Sequence, residues 1–459
     1  MRLASIVSVI TVLQLTALFS LMWVGQISFA SPAVLVVDDD GMASPTDCDA
    51  GVPAYASIQA AIDAASPGDE IIVCPGTYSE QVTIDKSGLR VRSFDGSALD
   101  GTPDTVIQPG ELSPAGVQIK ADGVVFQGFY IKDTTTGHDH AHRGIFVQGD
   151  NNVILNNKVE GRGVCPPFDT GILVRGGGVG DGVATNNLIE NNEVANTCDG
   201  IVTVSVDTSN AAAYTTIIRN TVKNNLNIGI AADRTPSTLV SFNKVTSNKI
   251  GLKYHSDSEK GLPATGTKFR CNDVYGNNQY DAENIAKDSS TMDAEYNWWG
   301  STGGPDTGKI SGNVDYEPWL TSPSEESCPS TGRMTGGGVI VYNMITAHFG
   351  FELHCSIEKK PNNLEINWRN GEGKTFIFHL MKMDSASCFF DMHRGSGEGR
   401  LKIGSNLWKP ATIVWTFVDD GEPGAGKDFL NVEITIDSTS YVILGKIDGG
   451  NIQAHPDDP

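Results

Sequence analysis

The sequence predicts an all-β chain in which a solenoid of stacked parallel strands is followed by an antiparallel β-sandwich-like domain. Glycine supplies 51 of the 459 residues, about 11% against the ~7% usual in proteins, and a helical bundle would not tolerate so much. Two sequence markers recur in step through the middle of the chain. A separate set of strand-like runs fills its last quarter.

The first marker is a glycine followed by Ile or Leu at the start of a short apolar segment. It occurs at Gly144, Gly171, Gly200, Gly229 and Gly251, with spacings of 27, 29, 29 and 22 residues. The segments alternate and lack a 3.6-residue period, which predicts strands and excludes helical repeats. Because one unit cannot bury its apolar side alone, we expect the units to stack about 4.8 Å apart as parallel coils.

The second marker is an asparagine followed two residues later by a large apolar residue. It occurs at Asn157, Asn192, Asn220, Asn243, Asn272 and Asn297. Equivalent asparagines in successive coils predict side-chain hydrogen-bond ladders along the stack, and Asn also tolerates left-handed backbone at turns. We expect the glycines to serve the same tight corners.

A short helix is predicted before the first coils, because the open end of a solenoid needs a cover. Its apolar stripe consists of Ile58, Ala61, Ile62 and Ala65. Pro67 and Gly68 end it.

Residues 55–84 and 296–320 carry a resemblance. YASIQAAIDAASPGD followed by IVCPGTYSEQVTI, and the ending YNWWGSTGGP … VDYEPWL, resemble the opening and closing segments of pectin-lyase-like right-handed parallel β-helix proteins. The resemblance covers roughly residues 34–320 and implies an extracellular, often polysaccharide-directed protein. It implies no single reaction, because this fold carries lyases, hydrolases, esterases, epimerases and inert adhesins.

The predicted organisation is a signal peptide at residues 1–30, a β-helix at 31–320, a Ser/Pro-rich linker at 321–332 and a β-rich domain at 333–459. The last segment resembles an uncharacterised module at the ends of bacterial secreted proteins. Its acidic turn could bind calcium, although a polar turn between strands is the simpler interpretation. The residues of that turn are Asp419, Asp420, Glu422 and Asp428.

The N-terminal segment predicts export. Residues 3–25 are apolar and uncharged, and Ser28-Phe29-Ala30 offers the small residues of a cleavage site. An uncleaved membrane anchor is the alternative, since the apolar run is long enough to span a bilayer. After cleavage no stable membrane span is expected, and the predicted location is secreted or cell surface.

The eight cysteines all follow the export segment and lack zinc-ligand spacing. Four disulfides are the natural interpretation in an oxidising compartment. Sequence order suggests the pairs 48–74, 165–198, 271–328 and 355–388, although eight cysteines allow 105 connectivities.

The chain is acidic, with 55 Asp and Glu against 33 Lys and Arg and a formal charge of -22. Nucleic acid is therefore excluded as a partner, because too few cations are available to neutralise a phosphate backbone.

The run His138-Asp-His-Ala-His-Arg143 is the most unusual local feature. In an extended chain its three histidines project from one face, where they could bind a metal or act as a base beside Arg143. The simpler interpretation is a solvated loop. The run partly resembles the Asp/His motifs of alginate-epimerase-like β-helices but lacks their Asp-Pro-His pattern.

Aligning the Gly-Ile markers generates a second set of candidates. One outward column is predicted to contain Gln148, Arg175, Val204, Asp233 and His255, and its neighbour Phe146, Leu173, Val202, Ala231 and Lys253. With Arg234, this mixture of apolar and charged groups could hold a uronic-acid chain. An ordinary solvated face is the alternative.

Two functions remain open at this stage. The first is a protein that acts on or binds extracellular polysaccharide or cell-surface glycan, as a lyase, hydrolase or epimerase of uronic-acid-containing glycan if it is an enzyme. Its candidate catalytic residues are His140, His142, Arg143, Arg175, Asp233 and His255. The second is a non-catalytic surface or adhesion protein that uses the solenoid face for binding. The missing pectin methylesterase and polygalacturonase signatures give it more weight than the fold alone would, but the first function is the leading hypothesis. No cofactor is assigned beyond the calcium possibility.

Overall fold

A computed structural model describes residues 33–455, apart from 101–104, 111–114, 134–142, 166–169, 177–181, 208–210, 261, 330–331, 343–344, 371–372, 390–391, 420 and 438. The predicted signal peptide, most of the histidine run and Asp420 therefore lie outside the described residues. The described chain is almost entirely β, which confirms the predicted fold class.

Three parallel sheets, here called faces A, B and C, run along the solenoid that the described residues form. Face A contains the strands Val34–Val37, Glu70–Val73, Arg90–Ser93, Val125–Gln127, Val153–Leu155, Leu188–Glu190, Thr216–Ile218, Leu239–Ser241, Lys268–Arg270, Met292–Asp293 and Val314–Asp315. Face B contains Val82–Ile84, Val117–Ile119, Arg143–Val147, Thr170–Val174, Asp199–Val204, Ile228–Asp233, Ile250–His255, Tyr280–Asn284 and Ile310–Ser311. Face C contains Gly76–Tyr78, Thr105–Ile107, Phe129–Lys132, Lys158–Glu160, Glu193–Ala195, Thr221–Lys223, Lys244–Thr246 and Asp273–Tyr275. A small parallel pair joins Ala184–Thr185 to Ala212–Ala213.

The asparagine ladder forms as predicted, at the corner between faces A and C. Each Nδ2 donates to the Oδ1 of the next coil at 2.9–3.0 Å, through Asn157, Asn192, Asn220, Asn243, Asn272 and Asn297. These side chains are buried. The left-handed residue of each corner is the one before the ladder asparagine, and it is Asn only at Asn156 and Asn191.

The marker glycines occupy strands, and the expectation that they serve corners is wrong. A Cβ on Gly144 would lie 2.3 Å from Cγ1 of Val159, and one on Gly200 would lie 2.5 Å from Cγ1 of Val222. Those valines are the apolar residues of the asparagine marker. The two markers therefore recur in step because each glycine makes room for the valine of its own coil. The corners use other glycines, such as Gly128, with φ of 86°.

A helix spans Ile58–Ala64 and covers the first coils, as predicted. Ser57 caps it by accepting a hydrogen bond from the Ala60 amide, and the Glu80 carboxylate accepts from the Ile58 and Gln59 amides at 2.8 and 2.9 Å. The stripe of Ile58, Ala61 and Ile62 is fully buried in the core of the solenoid. Three further short helical segments are described, at Ser258–Lys260, Thr307–Lys309 and Ser324–Ser327.

All four disulfides suggested by sequence order are present. They join Cys48 to Cys74, Cys165 to Cys198, Cys271 to Cys328 and Cys355 to Cys388. No cysteine is left free.

The C-terminal strands are antiparallel, as the sequence predicts, and they form one curled sheet. Its strands are Arg333–Tyr342, Ile345–His354, Asn363–Arg369, Thr375–Phe389, Met392–Ile403, Lys409–Val418, Phe429–Ile436, Thr439–Lys446 and Gly449–His455. The last of them pairs back onto the first. The sheet curls around its own core of aromatic and branched residues, so that its first and eighth strands approach each other.

This curled sheet packs against the outside of face A. The shared apolar cluster includes Val153 and Leu188 from face A, and Met392 and Leu444 from the C-terminal sheet. Polar contacts surround it: Arg90 bonds Glu433 at 2.9 Å, Arg394 pairs with Glu190, and the Tyr342 hydroxyl donates to the Gly123 carbonyl at 2.7 Å. Face A is therefore covered, whereas face B carries the columns predicted for a site.

Candidate functional site

Strand pairing on face B reproduces the predicted columns. Phe146 lies beside Leu173, and the column continues through Val202, Ala231 and Lys253. In the neighbouring column Val204 pairs with Asp233, and Asp233 with His255. The alternate residues Ile145, Ile172, Ile201, Ile230 and Leu252 are fully buried in the core. The predicted facing of both columns is therefore confirmed.

One half of this outer side is apolar and more buried than the sequence suggests. Phe146 and Leu173 retain only 4% and 6% of their exposure, because they pack with Ala115 into a lateral cluster flanked by Val202 and Val204. At Phe146 and Leu173 the outward column therefore forms a small apolar core on the outside of the solenoid.

Two guanidinium groups border this cluster. The Cζ atoms of Arg143 and Arg175 lie 4.8 and 5.1 Å from the centre of the Phe146 ring. Burial and the positive charge of Arg175 lower the pKa of Arg143. Among the described residues the guanidinium group of Arg175 has no hydrogen-bond or ion-pair partner. Two like charges thus converge on one ring, and this arrangement favours an anion between them.

The other half of the outer side is charged. The Asp233 carboxylate lies 2.7 Å from Nδ1 of His255 and 2.8 Å from Nε of Arg234. Because a carboxylate only accepts, the Nδ1 proton of His255 points to Asp233, and in the neutral ring Nε2 carries the lone pair. That Nε2 atom is buried and has no hydrogen-bond partner among the described residues. A carboxylate-oriented imidazole with an unsatisfied basic nitrogen is an arrangement suited to proton transfer.

Two acids of face B were not singled out from the sequence as site residues, Glu283 and Asp199. Nζ of Lys253 lies 3.4 Å from the Glu283 carboxylate, one coil further on. Asp199 accepts a hydrogen bond from Asn227 at 2.8 Å, and burial raises its pKa. Asp199 stands directly before a marker glycine, in the column of Arg143 and Thr170. Extending the alignment of the marker glycines by one residue toward the N-terminus would have identified Asp199.

The predicted residues fall into three groups. The structure brings Asp233 and His255 together, and Arg143 with Arg175. The two pairs are separated along the stack, with Arg175 and Asp233 two coils or about 10 Å apart. His140 and His142 lie outside the described residues.

The acidic turn of the C-terminal domain has structural contacts. Asp419 accepts hydrogen bonds from the Gly421 and Ala454 amides, and Asp428 accepts one from the Ile452 amide. In the described part of the chain, no group of three or more His, Cys, Asp or Glu residues could hold a metal ion.

Together these features define the class: the chain is a pectin-lyase-like right-handed parallel β-helix protein with a β-rich C-terminal sheet. Residues 65–315, more than half of the chain, match a family model described as "Periplasmic copper-binding protein (NosD)". The chain therefore belongs to the NosD family. Its four disulfides and this membership indicate an extracytoplasmic protein.

Solved structures give more distant likenesses. Pectin methylesterase from Aspergillus niger is 13% identical, over 65% of this chain and 89% of its own, with a TM-score of 0.34. Alginate lyase from Paenibacillus sp. str. FPU-7 is 16% identical, over 56% and 96%, with a TM-score of 0.32. DFA-IIIase from Arthrobacter chlorophenolicus A6 is 14% identical, over 57% and 66%, with a TM-score of 0.37. Comparison with curated proteins found no match. Within the described residues, no helix is long and apolar enough to cross a membrane.

Proposed function

We propose that the protein, secreted or held at the cell surface, binds an acidic polysaccharide along the outer side of face B. The observation that carries the proposal is the pair of guanidinium groups on Phe146, of which Arg175 has no acid partner among the described residues. In a chain of formal charge -22, a guanidinium group without an acid partner among the described residues is an attractive site for a carboxylate.

The ligand chemistry follows from this mixture of groups. An arginine fork takes a carboxylate through two parallel hydrogen bonds, which makes it selective for planar anions. The half-exposed side chains of Val202 and Val204 offer an apolar surface beside it. A uronic-acid chain has both a carboxylate and apolar ring faces, and running along the stack it would pass from Arg175 to Asp233.

The catalytic form of the proposal assigns proton transfer to His255. Its Nε2 takes or gives the proton while Asp233 fixes the ring and stabilises the imidazolium. Arg143 and Arg175 bind the carboxylate, and His140 and His142 remain proposed contributors from the adjoining segment. Such roles fit elimination, hydrolysis or epimerisation of a uronic-acid unit. In the non-catalytic form of the proposal, the two arginines bind the carboxylate in the same way and no reaction takes place.

The description of the NosD family names copper, but the described residues of this chain do not fit a copper site. All eight cysteines are in disulfides, and no three candidate ligands lie together in the described part. No step of the proposal therefore uses copper.

The test is binding and turnover on polygalacturonate, alginate and a neutral glucan. We expect retention of the acidic polymers and at least about tenfold weaker retention by Arg175→Ala. The matched control Arg369→Ala removes an exposed arginine of the C-terminal sheet and should bind as the unaltered protein does. Equal binding by Arg175→Ala, or a preference for the neutral glucan, contradicts the proposal.

Product analysis separates the two forms. New unsaturated ends or reducing ends, lost in His255→Ala and Asp233→Asn while binding persists, establish the catalytic form. Tight retention without any product establishes the non-catalytic form.

A further inference from the structure

An open groove crosses the outer side of the C-terminal sheet, away from face B. Its volume is about 630 Å³, and it spans strands Ile345–His354, Asn363–Arg369 and the start of Thr375–Phe389. That volume is within the ~300–1,000 Å³ range typical of small-molecule sites. No part of the function proposed above uses this groove.

The floor of the groove is backbone. Gly350 lies at its centre, opposite Glu365 on the next strand, and on its other side it pairs with Gly337. A Cβ built on Gly350 meets no atom within 4 Å. Two adjacent glycines thus leave a depression in an otherwise ordinary sheet surface, into which a ligand ring can settle.

Polar side chains line the wall beside this floor. Asn367 Nδ2 donates to Glu365 Oε1 at 2.9 Å, and His379 Nε2 lies 3.5 Å from the same oxygen. The other carboxamide atom, Oδ1 of Asn367, is buried and without a hydrogen-bond partner in the described residues. The buried Oδ1 of Asn367 therefore lacks a hydrogen-bond donor, and a hydroxyl group of a ligand would supply that donor.

An aromatic side chain stands at the edge of the wall. The Trp408 ring lies 4.9 Å from the ring of His379, and Cζ of Arg400 lies 4.7 Å from the Trp408 ring centre. The indole is partly exposed. A flat apolar surface next to convergent hydrogen-bonding groups is suited to a sugar, whose ring has an apolar face and a rim of hydroxyls.

The charges of the groove select against acidic glycans. Glu352 at one end is neutralised by Arg333 at 2.7 Å, and Arg400 stacks on Trp408 at the margin. Inside, the carboxylate of Glu365 is 54% exposed and would repel a uronate. We infer that this groove is a second binding site, specific for a short uncharged oligosaccharide.

The experiment is calorimetric titration of the full chain with cellotetraose, xylotetraose, mannotetraose and laminaritetraose, and with tetragalacturonate as the acidic comparison. We expect at least one neutral tetrasaccharide to bind, and we expect no binding of tetragalacturonate to Arg175→Ala beyond what remains in Arg175→Ala that also carries Gly350→Phe. Glu365→Gln and Trp408→Ala should each weaken neutral binding about tenfold or more. Absence of binding by all four neutral sugars at millimolar concentration overturns the inference.

Gly350→Phe is the sharpest variant, because it fills the floor at a strand position that accepts a side chain. It should abolish neutral binding, whereas Thr346→Phe, on the same strand outside the groove, should leave it unchanged. Glu398→Gln is the matched control for Glu365→Gln. Arg175→Ala should have no effect on neutral binding, so failure of this site and failure of the face B proposal give different results. Neutral binding that survives Gly350→Phe also overturns the inference.

Discussion

At the scale of single residues, the backbone conformation at the corners of the asparagine ladder is imposed by the neighbouring asparagines and not by the residues that adopt it. Left-handed backbone falls on Arg219, Phe242 and Cys271, residues with no preference for it. Such a conformation costs roughly 1–2 kcal/mol per residue and persists only where its surroundings impose it. The buried asparagine that follows each of them imposes the corner through its side-chain hydrogen bonds. The ladder asparagines were predictable because they recur at a regular spacing. The left-handed residues before them vary in type, so the sequence does not predict their conformation.

The positions of the site residues were predictable wherever the sequence predicted the register between neighbouring strands. Aligning the glycine markers placed Asp233 directly beside His255, and the two side chains do pair. The burial of Phe146 was not predictable, because it depends on contact with Ala115, which lies outside the repeat.

We expect His393 to make the stability of the C-terminal sheet depend on pH. The ring is fully buried, accepts a hydrogen bond from Trp415 Nε1 at Nδ1 and contacts the His354 carbonyl through Nε2. These contacts fit the neutral ring, and burial lowers its pKa from 6.5 to about 4. The unfolded chain therefore binds a proton at higher pH than the folded chain does. Stability is fully present above about pH 6.5 and is lost as the pH falls toward 4, by up to about 3 kcal/mol.

Chemical unfolding followed by tryptophan fluorescence checks this at about pH 7.5 and about pH 4.5. His393→Gln should lower stability at the higher pH and remove part of the difference between the two. The same pH dependence in both proteins would rule out His393 as its source.

At the scale of elements, the stacked coil is held together by repeated side-chain contacts between neighbouring turns. The asparagine ladder was predictable because the same residue returns at the same place in each coil. The role of the marker glycines was not, since spacing alone does not tell whether a Cα faces a corner or a neighbouring side chain. Only the coil geometry places Gly200 against Val222.

Asn220→Ala tests the ladder in its middle. Its side chain accepts hydrogen bonds from the Asn192 amide and Nδ2, and donates to Ile189, Ile218 and Asn243. Because the partners are buried, we expect the free energy of unfolding to fall by about 3–5 kcal/mol. The exposed Asn278→Ala should change it by less than about 0.5 kcal/mol. Similar effects of both variants in denaturant titrations would refute the structural importance of the ladder.

Gly200→Ala tests the close approach of the two markers. The added Cβ would lie 2.4 Å from the Gly229 carbonyl oxygen and 2.5 Å from Cγ1 of Val222, so the coils must separate. We expect a loss of about 3 kcal/mol in thermal or chemical unfolding. Gly51→Ala, where a Cβ meets nothing within 4 Å, is the control. An unchanged free energy of unfolding in Gly200→Ala would contradict the prediction and show that the coils tolerate the added methyl group.

At the scale of the whole molecule, the C-terminal sheet covers face A and leaves face B uncovered by that domain. Both β regions were predictable from the sequence, but their contact was not, because contacts between distant, non-repeating segments leave no periodic pattern. The charged pairs at this contact are half-buried or buried. Glu190 is almost fully buried beside Arg394. Burial of Arg219 lowers the pKa of its guanidinium group, and the positive charge of Arg394 lowers it further.

Glu190→Gln should therefore loosen the contact between the two β regions. Removing the carboxylate leaves the guanidinium group of Arg394 without its acid partner, close to the positive charge of Arg219, at a cost of about 3 kcal/mol. We expect faster hydrogen exchange in the face A strands Val153–Leu155 and Leu188–Glu190. Glu398→Gln, on an exposed part of the C-terminal sheet, should leave exchange unchanged. Unaltered exchange in Glu190→Gln would show that the apolar cluster alone holds the contact.

The central claim is that the outer side of face B recognises an acidic sugar through its arginines. A crystal structure of the protein with trigalacturonate tests it most directly. The account predicts a sugar carboxylate about 2.7–2.9 Å from the guanidinium nitrogens of Arg175 or Arg143, with the chain directed toward Asp233 and His255. Trigalacturonate bound only elsewhere, or no bound sugar at saturating concentration, would contradict it.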